Sequence, residues 1–179
     1  NGGTLYGTNG FGQYWDGNIT LGAHSTIRAD NNFYIDGVIS GSSKNLTKTG
    51  NGTVILRGTN TYSGTTTVSA GTLTIGGSGT LGSGSYSGTI ANSGTFNFAS
   101  SAAQTLSGVI SGSGALTKSG SSTLTLSGTN TYNGDTTISA GVISVSGLLG
   151  SGSYAGAIAN SGTLTLSSSS AQTLSGVIS

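Results

Sequence analysis

Acid–base, metal and nucleophile chemistry all need ionisable side chains that converge, and this chain of 179 residues has few. They are Asp16, Asp30, Asp36, Asp135, Lys44, Lys48, Lys118, Arg28, Arg57 and one histidine, His24, with no Glu and no Cys. Beyond Arg57 only Lys118 and Asp135 carry charge, so two-thirds of the chain lacks the means for acid–base work. The N-terminal acids are the candidates for a carboxylate pair of the glycosidase or solenoid-lyase kind. Such a site concentrates charge on one face, which this composition does not supply, and Asp16, Asp30 and Asp36 are read as caps of turns. His24 alone makes no metal site, and the absence of Cys removes disulfides, zinc clusters and thiol catalysis. There is no GxSxG elbow, and no Walker loop because neither Lys48 nor Lys118 follows a Gly. Gly77 to Gly82 matches GxGxxG, but no helix follows to meet a pyrophosphate. No catalytic, cofactor-binding or metal-binding residue is therefore assigned, no small-molecule substrate is expected, and the chain is expected not to be an enzyme.

One segment is chemically richer. Asn1 to Asp36 holds Tyr6, Phe11, Tyr14, Trp15, Phe33 and Tyr34. In Gln13-Tyr14-Trp15-Asp16 aromatic rings stand beside polar groups, an arrangement that stacks on a sugar ring or plugs the open end of a repetitive core. Tyr14 and Trp15 are the candidate ligand or subunit contact, with the cap or subunit contact preferred over the sugar platform. Ranks of Thr such as Thr65-Thr66-Thr67 offer a third option, an ice or crystal surface.

The elements that would position these residues follow from a biased composition: 34 Gly, no Pro, no Met, 5% charged and 33% hydrophobic, with a net charge of +1. Disordered chains usually stay soluble through charge, whereas this one is rich in β-branched Thr, Val and Ile, which suits short strands and tight turns. Five cations against four anions give no grip on a phosphate backbone, so nucleic acid is not an expected partner. No run approaches the roughly 18 apolar residues of a membrane-spanning helix.

Internal repetition is plain. LGSGSYSGTIANSGT at Leu81 to Thr95 returns as LGSGSYAGAIANSGT at Leu149 to Thr163, an offset of 68, and SGTNTYNG at Ser127 echoes RGTNTYSG at Arg57 with an offset of 70. Six apolar pairs each flank one residue: Val54 and Leu56, Leu73 and Ile75, Phe96 and Phe98, Leu124 and Leu126, Ile143 and Val145, Leu164 and Leu166. Period two puts both members of a pair on one strand face. The pairs step by about 22 residues, the length of one solenoid coil of three short strands. The expected fold is an all-β, right-handed parallel β-helix or solenoid of about eight coils, roughly three per 70-residue repeat, with a sandwich or barrel as the alternative. Residues 1–36 form divergent coils or a cap, 37–107 the first repeat, 108–175 the second, and 176–179 the start of a third. Asn60 with Asn130, and Asn92 with Asn160, are expected to bond across coils or to take left-handed backbone. Tyr62 with Tyr132, and Tyr86 with Tyr154, are expected to cover a coil edge.

The stretches LTKTGNGTVILRGTNTYSGTTTVSAGTLTIGG, Leu46 to Gly77, and LTKSGSSTLTLSGTNTYNGDTTISAGVISVSG, Leu116 to Gly147, resemble the autotransporter-associated β-strand repeat, also called the passenger-associated transport repeat. The resemblance implies a segment of a bacterial surface passenger, extracellular, with a right-handed parallel solenoid and no associated catalytic activity. Setting Asn1 after Ser179 places Gly3 at the Gly114 position and Leu5 at the Leu116 position, so one expectation is a homopolymer of subunits stacked end to end. A cut from a longer repetitive chain makes the same join trivial. The leading function is thus a structural stalk, fibre or filament, and the alternative is an adhesin that binds surface glycans through Tyr14 and Trp15.

Overall fold

The computed structural model describes residues 2–7 and 12–179; Asn1 and Phe11, named above, lie outside the described residues. Twenty-three short strands and two single-turn 3-10 segments make up the regular structure of the described residues. No described helix is long and apolar enough to cross a membrane. Every ladder is parallel and joins strands one coil apart, as where Thr53 pairs with Thr72 and Thr66 with Ile90. Such pairing rules out an antiparallel sandwich and builds a solenoid of about eight coils, roughly 40 Å long at the usual strand spacing.

Each coil visits three faces. The first holds Thr4–Gly7, Ser25–Ala29, Leu46–Thr49, Thr66–Val68, Ile90–Asn92 and Ile110–Ser111. The second runs from Gln13–Trp15 through eight strands to Ile158–Asn160, and the third from Ser85–Tyr86 through five to Thr163–Leu166. Alternation works as period two requires: Thr53–Leu56, Thr95–Phe98 and Thr123–Leu126 each bury their second and fourth residues. Those side chains join one core that runs from Leu21 to Ile158.

The six apolar pairs, however, do not form one ladder. Val54/Leu56, Leu73/Ile75 and Phe96/Phe98 stack on the second face. Leu124/Leu126, Ile143/Val145 and Leu164/Leu166 stack on the third. Phe96 is followed in its own column by Leu116 and not by Leu124. The cause is coil length. One coil closes in slightly less than a third of the repeat, so each repeat spans three coils and one further face. Leu46–Thr49 therefore lies on the first face and its counterpart Ala115–Lys118 on the second; Thr53–Leu56 lies on the second and Thr123–Leu126 on the third.

Thr-Asn-Thr-Tyr interrupts a face in each copy, and side chains replace the missing strand. Asn60 Oδ1 accepts the Ile39 N–H at 2.9 Å, and its amide donates to Gly58 O at 2.8 Å and Thr80 O at 3.1 Å. Asn130 repeats this with Ile110, Gly128 and Leu148. Gln104 and Gln172 then bond both backbone groups of Leu81 and Leu149. Of the two expectations for Asn60 and Asn130, bonding across coils is the one observed, since both keep negative φ. Asn92 also bonds across coils, donating to Ala115 O at 2.9 Å, whereas Asn160 Oδ1 accepts the Gly162 N–H within its own turn. Close stacking also fixes glycines at corners: a Cβ on Gly108 would collide with the Gly88 carbonyl oxygen.

Candidate functional site

Tyr14 and Trp15 are neighbours on strand Gln13–Trp15, so period two sends them to opposite faces of it. Tyr14 points outward in register with Tyr34 and then Ile55. Its ring stacks on Tyr34 with centroids 4.6 Å apart and planes at 9°. The Arg57 guanidinium carbon lies 4.5 Å from the Tyr34 centroid, and Arg57 also meets Asp36 at 3.5 Å. The result is an aromatic and cationic column along the outside of three successive coils, with Tyr14 59% exposed at its end. Trp15 instead occupies the inward column above Ile35 and Leu56 and is 42% exposed. The two residues thus do not form a single patch. Sequence reasoning missed this although the period of a strand predicts it.

Beside that end an open cavity of about 240 Å³ is lined mainly by apolar groups, among them Leu5, Ile19, Leu21 and Ile27. A second charged group sits on the first face. Arg28 pairs with Asp30 at 3.2 Å and lies 5.2 Å from the Tyr6 centroid, while the Tyr6 hydroxyl donates to Asp30. That hydrogen bond, with Arg28 assisting, holds the Asp30 carboxyl below its usual range. Asp30 and Asp36 are consequently engaged by cations, and Asp135 accepts the Ala157 N–H at 2.9 Å. His24 Nδ1 accepts the Asn45 N–H at 3.0 Å, a link between coils. Among the described residues no three of His, Cys, Asp and Glu come together as a metal site.

The four repeat tyrosines correct an expectation. They do not cover a coil edge; all are buried in the core. Tyr62 pairs with Tyr86, centroids 5.8 Å apart, and Tyr132 with Tyr154 at 5.2 Å. Within each pair the two hydroxyls share a threonine, Thr66 or Thr136, at 2.8 Å. Tyr86 gives its one proton to Gly64 O, so it accepts from Thr66, and Thr66 accepts from Tyr62; Tyr154, Thr136 and Tyr132 repeat the relay onto Gly134 O. Burial raises all four pKa values, Tyr86 to about 12. Burial of Thr66 also breaks up the supposed rank Thr65-Thr66-Thr67, since only alternate residues face outward. The outward threonine rows run across coils instead, as in Thr4, Thr26, Thr47 and Thr67. Sequence reasoning also missed that Lys48 and Lys118 are buried, with Nζ of Lys48 on three carbonyls.

No curated protein and no solved structure matches the chain. The family model of the passenger-associated-transport-repeat matches residues 46–75 and 116–145, the two segments that carry the buried Lys, Asn, Tyr and Thr. Both matched segments are wound into the same parallel β-solenoid, the first spanning its first and second faces and the second its second and third.

Proposed function

We propose that the chain is a non-catalytic structural segment of a bacterial surface passenger, displayed outside the cell as a stalk, fibre or filament. The observation that carries this reading is continuity: the second matched copy follows the first in unbroken register, and the charged residues after Arg57 number two. A rigid, weakly charged rod is what such stacking builds. End-to-end association of copies is part of the proposal. Its basis is the repeat itself, in which each coil offers the next the same parallel ladder, as Thr72–Ile75 does between Thr53–Leu56 and Thr95–Phe98. Unpaired strand edges of this kind recruit further strands. Electron microscopy and sedimentation of the purified chain test it: unbranched rods whose length grows with concentration support it, and Ile178→Asp should shorten them. Monomers at every concentration would remove the association.

A second reading, adhesion to glycans, is favoured by the exposed Tyr14 ring stacked on Tyr34. Under it, Tyr14→Ala abolishes binding to a panel of purified polysaccharides with the fold intact. Binding that survives this substitution would exclude the Tyr14–Tyr34 stack as the platform.

A further inference from the structure

The apolar columns of this solenoid do not by themselves fix which residue stacks on which. A slip of one residue between coils would throw Val54/Leu56, Leu73/Ile75 and Phe96/Phe98 to the outside and is excluded by burial. A slip of two keeps every apolar side chain inside but sets one member of a pair over a glycine, as Ile75 over Gly58, so it loses contact without exposing any apolar group. Buried polar groups with a positional demand add to that penalty.

Lys48 and Lys118 have that demand. Lys48 faces inward between Ile27 and Val68, and Lys118 between Phe98 and Ile138. Both are almost fully buried. An ammonium has three N–H donors. Those of Lys48 go to Thr49 O at 3.0 Å, Gly50 O at 2.6 Å and Ala70 O at 2.9 Å, the last of these in the next coil. Lys118 donates to Gly120 O, lies 5.6 Å from the Phe98 centroid, and abuts Gly141 so closely that a Cβ there would come within 2.8 Å of Nζ. Gly141 is the counterpart of Gly71, so the same corner is used in both matched copies although they lie on different faces.

We infer that the lysine of each passenger-associated-transport repeat is a register clasp, selecting the one alignment of its coil on the next that seats the buried ammonium between its own turn and the Gly71 or Gly141 turn of the next coil. Thr49 O and Gly50 O belong to the coil of Lys48 and stay with it, but a two-residue slip takes Ala70 O away and leaves one ammonium donor unpaired beside Ile27, Val68 and their neighbours, which a dry core does not tolerate. The clasp acts through specificity rather than through net stability, because an apolar side chain of similar length also fills the column.

Disulfide trapping reads the register directly, in a chain with no Cys of its own. Thr47→Cys with Thr67→Cys reports the native alignment, and Thr47→Cys with Ser69→Cys the slipped one. Each pair is refolded and oxidised in the parent and in Lys48→Met. The expected result is almost exclusively native disulfide in the parent, and about a ten-fold rise in slipped disulfide in Lys48→Met with β content unchanged. Lys118→Met, read with Thr117→Cys against Thr137→Cys or Ser139→Cys, gives the same pattern if Lys48→Met does not fold. Slipped yields as low as the parent's in both variants, or failure of both to fold, would overturn the inference.

Discussion

The first three coils and the coils that follow solve the same problem in opposite ways. Up to Arg57 polar chemistry is outside: Arg28 with Asp30, Arg57 with Asp36, and the exposed rings of Tyr6 and Tyr14, all over an interior that is apolar until Lys48. In the later coils the outer rows are Thr, Ser and Asn, as in Thr105, Thr125, Ser144 and Thr165, while Asn60, Tyr62, Thr66, Asn130, Tyr132 and Thr136 bring polarity indoors. Parallel stacking is indifferent to which solution is used, because the backbone ladder is the same in both. What differs is the chemical condition that dismantles each region, and that is where the comparison can be broken.

Alkali should have the largest effect, and on the later coils alone. The four buried tyrosines have pKa values raised by burial, above about 10 in the unfolded chain. Their stabilising contribution is complete below about pH 10 and is lost as pH rises toward and through the folded values, at roughly 1.4 kcal/mol per pH unit for each tyrosine. Lys48 works the other way: burial lowers it to about 8, so its protonation penalty fades between about pH 8 and its unfolded value. Burial lowers Lys118 in the same direction, but four tyrosines outweigh two lysines, and circular dichroism should show β structure collapsing above about pH 11. From about pH 7 to 3 the later coils should hold, since Asp135 is their one acidic side chain.

Gly108→Ala should cost about 3 kcal/mol in urea unfolding, because its methyl group meets the Gly88 carbonyl and forces two coils apart. Tyr132→Phe removes the first donor of the relay onto Gly134 O and should cost about 1–2 kcal/mol, leaving Thr136 without its incoming bond. Tyr14→Ala, on the exposed column, should change stability by less than about 0.5 kcal/mol. A Tyr14 effect as large as that of Tyr132 would mean that the two regions do not differ in this way.

Much of this was legible in the residues. The paired Leu, Ile, Val and Phe with one residue between them marked the buried face of each strand, and the long strings that return after Leu81 and Arg57 marked the repeat. The one-face advance between copies was not legible, because coils of unequal length blur the count and only the pairing of Phe96 with Leu116 decides it. Tyr62 and Tyr86 lie one long coil apart, so neither the repeat length nor the strand period brings them together on paper. The burial of Lys48 and Lys118 was not legible, because their carbonyl partners belong to the backbone, which has no sequence signature. At Tyr14 and Trp15 the opposite holds: their divergence was available from strand alternation.

The central claim is a three-faced parallel stack in which each repeat advances by one face. Interstrand nuclear Overhauser contacts in the 17.3 kDa chain test it most directly. Contacts of Asn97 with Thr117, and of Thr105 with Thr125, are predicted. Contacts of Asn97 with Thr125 would place all six apolar pairs in one ladder and contradict it.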